Sequence, residues 1–321
     1  MMQLTKSGLG TQTEAALLIL LKSAGLPELS SQAQILSTRQ EETGMRLAAL
    51  IRLSDGRKVV FKQRTGAETQ KRFAGLQEGY RLAGAAHEGH PRFGVPRLLA
   101  ADAGSQAILI EHLPGRAAEA ILETDPASAM TVLTAAGEWL AAHHAALPRP
   151  VVAFNTRRPL HRLKTRVAEA EPPAPNRFRA FLRGLQDRAG ALEGQEMPEA
   201  VIHGDFSLGN FLLDGQRVFG IDFENANGSA KERDLAMVLV DYATRFGLDD
   251  ATPDGALIRP DLMAGLMAGY GAGANPQVLD FLIRLRLLHI WLAIPQDRAA
   301  RSDRRDRVWR GVRGAAERLG A

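Results

Sequence analysis

The sequence of 321 residues predicts an α+β fold in two lobes, a small one built on an antiparallel sheet and a larger one that is mainly helical. Three observations carry this reading. Short β-rich runs joined by tight turns fill the first third of the chain. Helical periodicity dominates beyond the Pro114-Gly115 break. A single hairpin interrupts those helices, and Asp and Asn residues crowd around it. The length suffices for two cores, and 45% hydrophobic with 24% charged residues is ordinary for a folded globular enzyme, which sets aside disordered, collagenous and coiled-coil classes.

Ala15 to Leu21 forms an apolar stretch with Glu14 before it and Lys22 after it, and it reads as an amphipathic first helix, not a secretory leader. Ala33 to Gln40, Met45 to Leu53 and Lys58 to Gln63 read as an antiparallel meander, turning at Thr43-Gly44 and at Ser54-Asp55-Gly56. From Ala67 to Ala86, Phe73, Leu76 and Tyr80 recur at helical spacing until Pro91, Gly94 and Pro96 end the pattern. Arg97 to Ala101 and Ala107 to His112 are strands again, so residues 1–112 make the small lobe and 113–321 the large one. In the large lobe, helices are expected at 127–146, 176–188, 232–246, 260–269 and 276–293 and in the arginine-rich end. The stretch from Leu147 to Pro175 has poor periodicity and reads as an irregular excursion. The one clear strand pair is Phe211 to Leu213 with Val218 to Ile221, around Asp214-Gly215-Gln216.

The absence of cysteine excludes disulfide frameworks, thiolate metal sites and cysteine nucleophiles, and fits a cytoplasmic setting. No apolar run reaches the roughly 18 to 20 residues needed to cross a bilayer, so no membrane association is expected. The formal charge of +4 is modest. The stretch from Arg298 to Arg318 packs many arginines among few acids, which would suit a nucleic-acid patch, but the helical spacing of Asp303 to Trp309 reads better as a solvated helix face with local charge pairs, so no nucleic-acid partner is expected. His143 and His144 are adjacent, not i, i+4, and read as core or surface histidines in place of a metal pair. Oligomeric state is not legible.

The chemistry concentrates in His203-Gly204-Asp205-Phe206-Ser207-Leu208-Gly209-Asn210, the hairpin, then Ile221-Asp222-Phe223-Glu224, and Arg233-Asp234-Leu235-Ala236. Asp205 and Asn210 share one loop, and Asp222 follows the return strand of the hairpin. Hard oxygens such as Asn210 and Asp222 suit a magnesium ion bridging phosphate oxygens, which leaves Asp205 to hold an acceptor hydroxyl and take its proton, a role worth about 10²- to 10⁴-fold.

These motifs resemble the aminoglycoside phosphotransferase and choline-kinase-like family. The resemblance implies a bilobal protein-kinase-like fold and an ATP- and Mg-dependent phosphotransferase acting on a hydroxyl of a small molecule. It implies Asp205 as catalytic residue, Asn210 and Asp222 as metal ligands, and Asp234 as a support of the larger lobe. His203 then packs beneath the loop. In the small lobe it implies Lys62, near the end of its strand, as the lysine on the ATP phosphates. Glu78 on the next helix is its expected partner, with Glu68 as competitor in the first turn of that helix. Ile110 to Leu113 would be the hinge meeting adenine, with Glu111 and Leu113 as cofactor-binding positions.

Two departures separate the chain from protein kinases: a single Gly44 where they carry GxGxxG, with Glu41 and Glu42 beside it, and Asp-Phe-Glu in place of Asp-Phe-Gly. The alternative class is a nucleotide-binding regulator of the same fold that transfers nothing, against which the complete set of Lys62, Asp205, Asn210 and Asp222 argues. Arg157, Arg158, His161, Arg162, Lys164 and Arg166 precede the loop against Glu169 and Glu171, while Asp241, Asp249, Asp250 and Asp254 follow it. That balance favours a neutral or anionic hydroxylated acceptor over an aminoglycoside.

Overall fold

The computed structural model describes residues 8–29, 33–41, 44–66, 69–169, 171–223, 226–247 and 252–320. Glu42 and Thr43 of the expected turn, Glu68, Glu224, Asp249 and Asp250 lie outside the described residues. The chain divides into two compact units, Met1–Gly115 with Phe219–Asn227, and Arg116–Val218 with Gly228–Ala321.

The first unit comprises α1 (Thr11–Ser23), β1 (Gln34–Glu41), β2 (Gly44–Arg52), β3 (Lys58–Arg64), α2 (Thr69–His87), β4 (Phe93–Gly94), β5 (Leu98–Asp102) and β6 (Ala107–Glu111). Five strands form an antiparallel sheet in the order β1-β2-β3-β6-β5. Strand alternation sends Leu47, Ala49, Ile51, Val59, Phe61 and Leu109 into one core, which α1 covers with Leu17, Leu20 and Leu21. Lys62 follows Phe61, so the same alternation points it to the opposite face, in register with Ala48 and Ile108.

The second unit contains β7 (Arg116–Ala117), α3 (Ala118–Thr124), α4 (Ala129–Ala146), β8 (Pro148–Ala153), α5 (Arg157–Glu169), α6 (Pro175–Leu192), β9 (Glu196–Val201), β10 (Phe211–Asp214), the start of β11 (Arg217–Gly220), β12 (Gly228–Ala230), α7 (Glu232–Arg245), α8 (Pro260–Tyr270), α9 (Pro276–Leu292) and α10 (Asp303–Arg318). Helix α4 meets α8 backbone to backbone. A Cβ at Gly137 would lie 2.2 Å from the Leu266 carbonyl oxygen, and one at Gly269 would lie 2.3 Å from that of Thr134. Only glycine permits this approach. α5, α6, α7 and α10 pack on α9.

Two expectations need correction. The stretch 147–175 is not irregular: it holds β8 and the helix α5. Leu160, Leu163 and Val167 recur at helical spacing in α5, but they stand among a proline and six basic residues, and Leu163 is the one of the three that is buried. Nor is there one strand pair only, because β8, β9 and β12 make a three-stranded antiparallel sheet. β8 is exposed along its length and carries two prolines, the profile of an edge strand that local propensity does not reveal. Among the described residues no helix is long and apolar enough to cross a membrane.

Candidate active site

Lys62 and Asp222 meet within the first unit. Lys62 Nζ donates to Asp222 Oδ1 at 3.0 Å and to Tyr80 Oη at 3.4 Å. Burial works against the ammonium charge, but Tyr80 and Asp222 outweigh it and hold Lys62 above its ordinary range. Burial likewise raises Tyr80, so its phenol keeps its proton. Tyr80 is fixed edge-on to Phe223 at 5.5 Å. Asp222 itself sits at φ 65°. That left-handed backbone is uncommon for a residue with a Cβ and is tolerated best by Asn and Asp, whose short polar side chains hydrogen-bond locally. The side chain of Asp222 is 53% exposed.

The other carboxylate lies in the second unit, in the loop between β9 and β10. Asn210 Nδ2 donates to the backbone oxygen of Asp205 at 2.7 Å and to its Oδ2 at 3.1 Å. These two bonds fix which end of the amide is nitrogen, and they turn Asn210 Oδ1 away as a carbonyl-type oxygen suited to a hard cation. Ser207 N donates to Asp205 O, and Asn210 N to Ser207 O, so the loop winds tightly between the two side chains. Phe206 anchors it from below: its ring stacks on Trp139 at 5.1 Å and on Phe211 at 5.1 Å, with His143 stacked beyond Trp139 at 4.8 Å. His203 is fully buried, edge-on to Trp139 and Phe206, and its Nδ1 accepts from Asp205 N at 3.3 Å. It packs beneath the loop, as expected.

Two acids of α7 moor this loop. Asp234 accepts from His203 N at 2.7 Å and Gly204 N at 2.9 Å, while His144 Nε2 lies 3.1 Å from it. Both amides converge on one carboxylate because Gly204 turns the chain at φ 85°, a conformation glycine adopts without strain. Burial alone would raise Asp234, yet the His144 hydrogen bond, the neighbouring histidines and the Gly204 amide hold it at about 2. With Asp234 ionised, His144 donates to it from Nε2, and the other ring nitrogen, Nδ1, lies 3.0 Å from Tyr270 Oη. Asp241 accepts from Leu208 N at 2.9 Å and pairs with Arg245 at 3.4 Å; Arg245 also pairs with Glu119. Asp234 and Asp241 are seven residues apart, hence on one face of the helix.

A model described as the APH phosphotransferase enzyme family matches residues 47–282. The chain belongs to that phosphotransferase family. No curated protein sequence matches it. Among solved structures it is similar to a choline/ethanolamine kinase family protein from Mesorhizobium loti, at 18% identity over 97% of this chain and 96% of that one, with a TM-score of 0.63. It is similar also to amicoumacin kinase in complex with AMP-PNP, Ca2+ and Ami, at 15% identity, 94% and 93% coverage and a TM-score of 0.60. An aminoglycoside-3'-phosphotransferase of type VIII matches at 21% identity, 86% and 98% coverage and a TM-score of 0.57. These likenesses establish the protein-kinase-like α+β fold.

The remaining expected site residues of this phosphotransferase are all in the first unit. Glu78 is held by Arg81, which donates at 2.7 Å and 2.5 Å, whereas Lys62 takes Asp222 and Tyr80 as its partners. The i, i+3 arginine on α2 is a local competitor for that carboxylate. Glu111 ends β6; its amide donates to Arg97 O at 2.9 Å and its Oε2 receives Arg97 Nε at 3.2 Å. Leu113 lies in the coil that follows. Sequence reasoning missed Tyr80 as the lysine's neighbour and Asp241 as the second mooring acid. The seven-residue interval from Asp234 was the available signal for the latter.

Proposed function

We propose that the protein transfers the terminal phosphate of ATP, with magnesium, to a hydroxyl of a small molecule. The observation that carries this reading is the orientation of Asn210. Its amide nitrogen is spent on Asp205, so an oxygen for a cation and a carboxylate for a proton arise from one loop. Asn210 and Asp222 are the residues that would hold the magnesium. When bound, the ion would neutralise charge on the phosphate oxygens.

The acceptor oxygen attacks the γ-phosphorus, forming one O–P bond while the bond to the bridging oxygen of ADP breaks. Asp205 accepts the hydroxyl proton and later releases it to water. Lys62, kept protonated, binds and orients phosphate oxygens, and Asp222 holds it in place before nucleotide arrives. Glu111 and Leu113 supply backbone to adenine in this reading. Glu78 assists Lys62 only by exchanging its Arg81 contact.

The test is a thermal-shift titration with ATP, with and without magnesium, followed by ATP consumption over a panel of hydroxylated metabolites. Magnesium-dependent stabilisation and acceptor-dependent consumption are expected. Stabilisation without turnover on any acceptor would instead identify a nucleotide-binding regulator.

A further inference from the structure

Three helices of the second unit bring positive charge beside the loop of Asp205. Arg286 and His289 are three residues apart on α9 and share a face. Arg166 comes from the last turn of α5, and its Nη1 donates to His289 Nδ1 at 3.0 Å. Arg233 comes from the first turn of α7, and both α5 and α7 pack on α9. The fields of these groups overlap. Burial and then Arg166, Arg286 and Arg233 push His289 down to about 4, so it is neutral at physiological pH. Burial lowers Arg286 too, while Asp205 and Asp241 support its charge and Arg233 opposes it.

Asp205 and Asp241 offset part of this charge, and Asp241 is shared with Arg245, so three arginines face two acids. Arg286 Nε is shielded from solvent and has no hydrogen-bond partner among the described residues. A buried guanidinium N–H left unmade is costly, and three arginines drawn together are mutually repulsive. An oxyanion of the acceptor would relieve both costs. Of the basic residues on α5, all exposed, it is Arg166 whose Nη1 reaches His289 on α9.

We infer that the acceptor carries an oxyanion, a carboxylate or a phosphate ester, alongside the hydroxyl that is phosphorylated, and that Arg286 with Arg166, Arg233 and His289 binds it. This rests on the phosphotransferase reading and names its substrate class. Anchoring the anion on α9 would present the hydroxyl to Asp205, the carboxylate whose field reaches Arg286.

The experiment compares glycerate, glycerol 3-phosphate, glycerol and kanamycin as acceptors of labelled phosphate from Mg-ATP, so that hydroxyl chemistry is matched while charge changes. Glycerate or glycerol 3-phosphate should exceed glycerol and kanamycin in kcat/KM by about tenfold or more. Arg286→Gln, and separately Arg233→Gln, should raise KM for the preferred anion by about 10- to 100-fold, with a smaller change in kcat, whereas the exposed Arg310→Gln should behave as wild type. Preference for glycerol or kanamycin would overturn the inference while leaving the phosphotransferase reading intact. If no acceptor consumes ATP, that reading fails. The anion site is then judged by thermal shift with glycerate and glycerol 3-phosphate: stabilisation lost in Arg233→Gln upholds it, and equal or absent shifts in wild type and variant refute it.

Discussion

His144 and Asp234, ninety residues apart in the chain, meet in the core at 3.1 Å, and through that contact α4 holds the carboxylate that gathers the His203 and Gly204 amides. Three donors converge on two oxygens. Asp234→Asn would leave one acceptor oxygen and bring an N–H2 group against a donor. A loss of about 3 kcal/mol is expected, roughly 4–5 °C in melting temperature for a chain of this size, together with loss of turnover as the Asp205 loop loosens. Denaturant titration and a thermal melt measure it. A variant as stable as wild type would refute the mooring role.

Asp205→Ala should lower kcat by about two to four orders of magnitude while nucleotide affinity stays close to wild type, as loss of a general base requires. Steady-state kinetics beside a nucleotide-binding titration separates the two quantities. Retention of most of the activity would remove Asp205 from the proton-transfer role.

The left-handed backbone of Asp222 allows strain and ligation to be told apart. Asp222→Gly and Asp222→Ala should both weaken magnesium-dependent nucleotide binding, since each removes the same oxygen. The alanine variant should be less stable than the glycine variant by about 1 kcal/mol, because a Cβ is disfavoured at that φ. Equal melting temperatures would mean that the backbone there relaxes.

His87, buried at the end of α2, makes stability sensitive to acid. Burial first, and His90 next to it, lower its pKa from 6.5 to about 4. The folded state therefore disfavours the proton that the unfolded chain accepts. The sign follows: the contribution is fully present above about pH 6.5 and is lost as pH falls toward 4, on the order of 2 kcal/mol by pH 4.5. His87→Leu should flatten the decline in melting temperature between pH 7 and 4.5. An unaltered slope in that variant would show that other groups control it.

The reading from sequence reached far wherever the determinants are local. Strand alternation and turn residues located β1, β2, β3, β5 and β6 within a residue or two, and the three- and four-residue rhythm of Phe73, Leu76 and Tyr80 located α2. Asp205 and Asn210 were legible as a pair because five residues of loop suffice to fold one onto the other. Elements that bury little were not legible: β8 lies exposed at a sheet edge, and in α5 the helical rhythm of Leu160, Leu163 and Val167 is short and set among basic residues, with Leu163 the one of the three that is buried. Partner choice also lay beyond it. Lys62 meets Asp222 across 160 positions, and Glu78 turns to Arg81 instead, an outcome set by which carboxylate the folded backbone brings within reach. The same holds for Arg166, Arg233, Arg286 and His289. They come from three helices, and only the packing of α5 and α7 on α9 makes one basic cluster of charges that the sequence scatters over more than a hundred residues.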